Sequence, residues 1–402
     1  MPSSSSVPAA LPEAHRRGLI AAAYAAMAVF GMVLLLMGAL LPTLRVSLHQ
    51  AGDLGSLPLL GILLATIVVG PLLDTAGAKP ILVVALALVA APLALLPDLK
   101  TYAGLAVAAL VYGFGGGLLN TATNALVSDL SALRVAAAGE RRAMALNLLG
   151  FFFSLGAISA PLLMALVAGG WGVAAVLRIL AVVAIVVLLA VLLLRFPPPA
   201  RPGAKPLALL RVLANPLVCW FGVLLFFESG SENAMFVWAG KLVQGALSVS
   251  PARAAMALVA LSAALGVGRL FAVGWLRLLG HRRTLWLSCA GVIVGAVITA
   301  AGASYAVMVI GLALVGLGMA AIYPTVLGLA GDHFPQDTGT VFGGIITVSL
   351  LGGTAGPWLA SRLALGHPRS VLWLPVIAAV AVALLAALIT RRSRSAEPQL
   401  PH

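Results

Sequence analysis

Stretches of about 20 consecutive apolar residues, the length a helix needs to cross a hydrocarbon layer about 30 Å thick, recur from one end of the 402-residue sequence to the other. Twelve are readable, near 19–44, 54–73, 80–97, 102–127, 143–168, 173–195, 216–242, 254–277, 284–301, 304–330, 341–362 and 370–390. With 62% hydrophobic and 9% charged residues and a mean hydropathy of +1.13, the chain has too little polar material to cover itself in water. A transmembrane barrel is the other way to span a bilayer, but segments such as VVAIVVLLAVLLL lack the apolar/polar alternation of its strands. The expected class is an all-α integral membrane protein with twelve transmembrane helices.

The net charge of +13 is a topology signal. With the N-terminus placed inside, sixteen of the 24 Lys and Arg residues fall in the tails and even-numbered loops, six fall on the other side, and Arg178 and Arg269 lie within spans. That asymmetry predicts cytoplasmic termini and a multi-pass protein of the plasma (inner) membrane, and it excludes a nucleic-acid partner. The polar first 18 residues precede an apolar run too long for a cleaved signal peptide, so the first helix is expected to stay. Cys219 and Cys289 lie in different spans and read as packing residues.

A long internal polar stretch, RFPPPARPGAKPLALLRVLANP at 195–216, separates six spans from six. The predicted organisation is a tail at 1–18, a six-helix bundle at 19–195, a cytoplasmic loop at 196–215, a second bundle at 216–390 and a tail at 391–402. The two halves also resemble each other. VYGFGGGLLNTATNALVSDL from 111 aligns without gaps with LVGLGMAAIYPTVLGLAGDH from 314, matching Gly113, Gly115 and Asp129 to Gly316, Gly318 and Asp332. SLGAISAPLL from 154 aligns with LLGGTAGPWL from 350, matching Gly156 to Gly352 and Pro161 to Pro357. A parallel six-plus-six repeat implies a transporter with its site between the halves near the bilayer midplane.

Between the second and third spans the chain reads GPLLDTAGAKP, with Gly70, Asp74, Gly77 and Lys79 in the spacing of a loop signature. This resembles the major facilitator superfamily, with Thr75 and Ala78 where the family usually carries cations. The resemblance implies a conformational latch: glycines let helices 2 and 11 approach, and the acid bonds a helix N-terminus in one conformation only. LLNTATNALVSDL, GSENAMFVW, GVGRLF and AIYPTVLGLAGDHFP further resemble the branch of fucose permease and glucose-permease-like proton-linked sugar symporters. The fucose permease carries acids in helices 1 and 4. Here helix 1 has none, Asn120 stands at the matching position of helix 4, and the carboxylates occur in helix 7 instead.

Those carboxylates, Glu228 and Glu232 in FFESGSENAMFVWAGKLV, lie roughly 18 and 24 Å along their helix from Pro216. A spacing of four residues sets them on one face. A charge at such depth costs about 2.5–3.5 kcal/mol on insertion scales, so an acid without a use is rare there. Two acids one turn apart are harder still to ionise together, and at least one is expected to hold a proton that exchanges as the cavity changes sides. Arg269 is the obvious buried partner, roughly a turn away in depth.

Amides and phenols orient hydroxyl-rich ligands without a charge penalty, which nominates Asn120, Asn124, Asn147 and Tyr323 for solute contact, though helix–helix hydrogen bonds use the same groups. Trp238 is read either as a stacking platform or as an interfacial anchor. No GxxxxGK[ST] loop is present and no cofactor is implied, so the energy source is expected to be an ion gradient, most simply protons. No catalytic constellation points to an enzyme. The expected function is proton-coupled symport of a small polar, sugar-like solute by a monomer, and the alternative is a proton-coupled efflux antiporter for amphipathic compounds.

Overall fold

The computed structural model describes residues 12–132, 138–197, 215–334 and 338–395. Most of the 196–215 connection and parts of both tails lie outside that range, as does the side chain of Asn147. Among the described residues all regular structure is helical.

Ten helices are long and apolar enough to cross a membrane, and one apolar stretch runs 46 residues, long enough for two crossings. It bends at Gly172, whose φ of 82° is open to glycine and strained for other residues. With that bend counted and the 216–247 helix added for its length, the described residues hold twelve helices of spanning length. They are α1 (Glu13–Leu40), α2 (Leu48–Ala76), α3 (Ala78–Leu95), α4 (Tyr102–Ala132), α5 (138–171), α6 (173–193) and α7 (Pro216–Leu247), followed by α8 (251–279), α9 (281–301), α10, α11 (Thr338–Ala364) and α12 (Trp373–Ser395). α10 comes in two pieces, Tyr305–Met319 and Ile322–His333.

The helix ends follow local chemistry. Ser47 and Gln50 form a reciprocal capping box at the start of α2, Asn215 caps α7 ahead of Pro216, and Ser250 caps α8 ahead of Pro251.

The internal repeat is a repeat of contacts. A side chain on Gly113 of α4 would strike the Pro58 carbonyl of α2, and one on Gly316 of α10 would strike the Leu261 carbonyl of α8. Gly115 lies against Ala85 of α3 as Gly318 lies against Ser288 of α9. Gly156 of α5 meets the Ala28 carbonyl of α1 as Gly352 of α11 meets the Phe226 carbonyl of α7. Even the turns correspond, since Gly77 between α2 and α3 and Gly280 between α8 and α9 both have positive φ, 78° and 71°. Bare backbone approaches backbone at each point, which gains dispersion contact where lipid offers no hydrophobic drive.

The halves meet where α1 and α7 end. There Gly38 lies against Phe236, Gly52 against Ser361, and Gly55 against Val237 and Pro357, while Gln244 Nε2 donates to the Pro42 carbonyl at 3.1 Å. Toward the opposite end, Gly70 of α2, Gly150 of α5, Gly274 of α8 and Gly343 of α11 have no neighbour within 4 Å of where a side chain would begin. The described contacts between the halves that rest on glycine lie at one end of the bundles.

Candidate functional site

From Glu228 to Gly240 every residue of α7 is buried. Its small residues explain how. Gly230 and Gly356 of α11 are in backbone contact, and Gly353 leaves space for Ser229 and Asn233, whose Nδ2 donates to the Ser229 carbonyl at 2.9 Å. SGS therefore seats α7 on α11, and the glutamates take other directions.

Glu232 is bound twice by one guanidinium nitrogen, with Arg269 Nη2 at 2.9 Å from Oε1 and 3.1 Å from Oε2. The carboxylate side chain is 10% exposed and that of Arg269 31%, so the arginine is the more accessible member of the pair. Arg269 reaches this position because the preceding residue, Gly268, lets α8 close on Ala320 of α10.

Glu228 is 3% exposed and neither of its carboxyl oxygens has a donor among its neighbours. The Glu232 carboxyl beside it is itself an acceptor, so two ionised carboxylates leave Glu228 without a hydrogen bond. Glu228 also borders a narrow space inside the second bundle, with Ser231 of α7, Val292 of α9, Met319 and Ile322 of α10, and Pro375 and Val382 of α12. The Ser231 hydroxyl is likewise buried and without a partner.

The break in α10 falls at Ala320 and Ala321. Pro324 accounts for it, having no N–H to offer the Ala320 carbonyl and a ring that crowds that same oxygen. Tyr323, half-buried just past the break, lies in the field of Glu228, Arg269 and Glu232 together. The apolar stretch at 304–330 is thus two helical pieces and not one. Pro324 was the available signal.

The other candidates separate. Asn120 and Asn124 do share a face of α4, where Asn124 Nδ2 donates to the Asn120 carbonyl at 2.8 Å and to its Oδ1 at 3.1 Å. Trp238 is 1% exposed and its indole donates to the Pro357 carbonyl at 3.0 Å, which makes it part of the α7–α11 packing in this conformation, neither a surface anchor nor an open platform. Of the latch residues, Gly77 forms the left-handed turn, and Lys79 Nζ donates to the carbonyls of Leu192 and Leu194 at 2.9 and 2.7 Å, capping α6. Asp74 sits in the last turn of α2, and Gly70 stands clear of α11 here.

Paired six-helix bundles with a charged cluster at mid-helix depth in one of them set the context for comparison with known proteins. A sequence profile of the Major Facilitator Superfamily matches residues 18–276 and 224–402. The chain belongs to the major facilitator superfamily. Within that superfamily it is 27% identical over 328 residues to an uncharacterized MFS-type transporter of Yersinia pestis, covering 78% of this chain and 80% of that one. Among solved superfamily-like structures, a D-xylose-proton symporter superposes with a TM-score of 0.74 at 13% identity, over 92% of this chain and 97% of the other. The nucleoside transporter NupG gives 0.72 at 13% identity, over 94% and 98%. A fucose:proton symporter of E. coli gives 0.63 at 21% identity, over 92% and 98%. At these identities the likeness is one of fold. The protein is a membrane transporter, and neither its family nor these neighbours are enzymes.

Proposed function

We propose that this protein carries a small, polar, sugar-like solute across the membrane by proton-coupled symport, with Glu228, Glu232 and Arg269 as the coupling cluster. The observation that carries the reading is a charge count. Two buried carboxyls face one guanidinium, so the fully ionised cluster holds one uncompensated negative charge. Such a charge in a low-dielectric interior is costly, and one proton removes it. One proton makes the cluster neutral, so the carrier crosses loaded with proton and solute together and returns empty of both, the half-loaded forms being the ones held back. Solute binding at the gap between the bundles then gates which loaded form crosses.

With the N-terminus inside, as the arginine and lysine distribution predicts, the end sealed by Gly38, Gly52 and Gly55 faces outward. Asn120, Asn124 and Tyr323 are the polar groups we assign to solute contact, with Asn147 a further candidate. The structural neighbours, symporters of D-xylose and fucose and a nucleoside transporter, support a hydroxyl-rich solute. Efflux of amphipathic compounds, the other use for the same glutamates, has no comparable support.

Reconstituted protein, given a panel of labelled monosaccharides and nucleosides under an imposed pH gradient, is expected to accumulate at least one of them and to lose accumulation when a protonophore collapses the gradient. Accumulation of none, together with proton exchange against lipophilic cations, would replace symport with the antiport reading.

A further inference from the structure

We propose that the cavity around the Lys241 ammonium, at the seam between the two halves, binds a small organic monocarboxylate, and that this anion holds the seam shut. The first observation is an unspent charge. Every other half-buried lysine or arginine among the described residues has a partner. Arg16 donates to the Leu130 carbonyl, Lys79 to those of Leu192 and Leu194, Arg369 to those of Ala300 and Gly302, and Arg269 to Glu232. Lys241 is half-buried on α7 and makes neither a hydrogen bond nor an ion pair with any described residue.

The second observation is the room beside it. Lys241 lines a cavity of about 150 Å³, the size that holds a benzene-like molecule. Most of the wall is apolar, from Leu48 of α2, Leu242 and the Trp238 ring of α7, Ala364 of α11 and Pro368 just beyond it. Gln244 adds an amide. The Trp238 indole is already bonded to the Pro357 carbonyl and Gln244 Nε2 to that of Pro42, which leaves the ammonium as the donor group with all its N–H bonds unspent.

These walls fix the class of ligand. An ammonium held partly out of water is stabilised by an anion placed against it. One cation matches one negative charge, which favours a monoanion over a phosphate or sulfate dianion, and the lining has no arginine to fork onto a phosphate. The apolar walls accept a compact hydrocarbon body. A carboxylate on a ring or branched chain of benzoate's size meets both requirements. A sugar meets neither, because its hydroxyls would face leucine and proline, so this cavity is separate from the solute site of the proposed symport.

Position gives the site its effect. Leu48 belongs to the first half and the other lining residues to the second. Next to the cavity Gln244 bonds Pro42, and Gly55 meets Val237, the residue before Trp238. A molecule touching Leu48 and Lys241 together gains contacts while the halves meet and loses them when they part. It therefore binds the closed seam more tightly and shifts the population toward it.

The test is equilibrium binding of radioactive benzoate to the purified full-length protein without solute, alongside its unfolding temperature. Saturable binding and a benzoate-dependent rise in unfolding temperature are expected. Cyclohexanecarboxylate should displace the label, whereas uncharged benzamide and inorganic phosphate should not. Lys241→Met should lower affinity at least about tenfold and, because it breaks no hydrogen bond or ion pair, should not lower the unfolding temperature of the ligand-free protein. Leu48→Ala should weaken binding several-fold by removing the first half's wall. Absence of saturable benzoate binding overturns the proposal, as does binding that survives Lys241→Met or yields equally to phosphate. Affinity unchanged by Leu48→Ala overturns the bridging of the halves. No transport is measured, so this result and the uptake experiment fail independently.

Discussion

The two halves of this transporter share their packing and differ in their chemistry. Gly156 on Ala28 and Gly352 on Phe226 fix the same register between α1 and α5 as between α7 and α11. Carrying that register along the helices sets Phe30 and Leu34 opposite Glu228 and Glu232, while the Gly113 and Gly316 contacts set Thr66 opposite Arg269. Phe30 is buried in the core and Thr66 bonds only the Ile62 carbonyl of its own helix, at 2.8 Å. One half is a scaffold where the other holds charge. Close helix packing tolerates ionisable groups here, and it does not require them.

The contrast can be broken first at the packing. Gly352→Leu and Gly156→Leu each push a side chain into a facing backbone carbonyl that cannot yield, which exceeds the roughly 1–3 kcal/mol of ordinary overpacking. Both variants are expected to lose the monodisperse peak in size-exclusion chromatography, to a similar degree. A well-behaved Gly156→Leu protein would show that the first half does not depend on the shared register.

Next in size is the charge itself. Arg269→Ala strands two buried carboxyls and is expected to cost about 3–5 kcal/mol, whereas Thr66→Ala at the equivalent site should cost about 1 kcal/mol or less. Thermal unfolding in detergent measures both, and equal losses would erase the asymmetry. Glu232→Gln keeps the shape and removes the charge that pairs with Arg269, so gradient-driven accumulation should fall at least about tenfold, equivalent to about 1.4 kcal/mol, while counterflow persists. Undiminished accumulation would take Glu232 out of the coupling cluster. The smallest effect is expected from Asn124→Ala, about 1 kcal/mol in apparent solute affinity, read as a change in KM.

The spans, the glutamates and their arginine partner were all legible in the sequence, because apolar length, helical spacing and the expense of burying charge act locally. The repeat was legible too, since its glycines carry the close contacts that the alignment matched. Three things were not. Trp238 is amphipathic, and only the position of Pro357 decides that its N–H is satisfied inside the bundle. Spacing places Glu228 and Glu232 on one face without saying that the first borders a space within its own bundle while the second meets α8. The break in α10 was written in Pro324 but competes with the long apolar run around it, and prolines elsewhere, such as Pro161 and Pro357, sit inside helices that continue.

The closure between the halves rests largely on glycine: Gly38, Gly52 and Gly55 bring the first half against Phe236, Ser361 and Val237 of the second. A barrier made this way depends on the course of the main chain and little on which solute the inner residues select. Mutations that retune recognition deeper inside can accumulate without loosening the door, and a lineage built on this plan is free to change its cargo while keeping its gate.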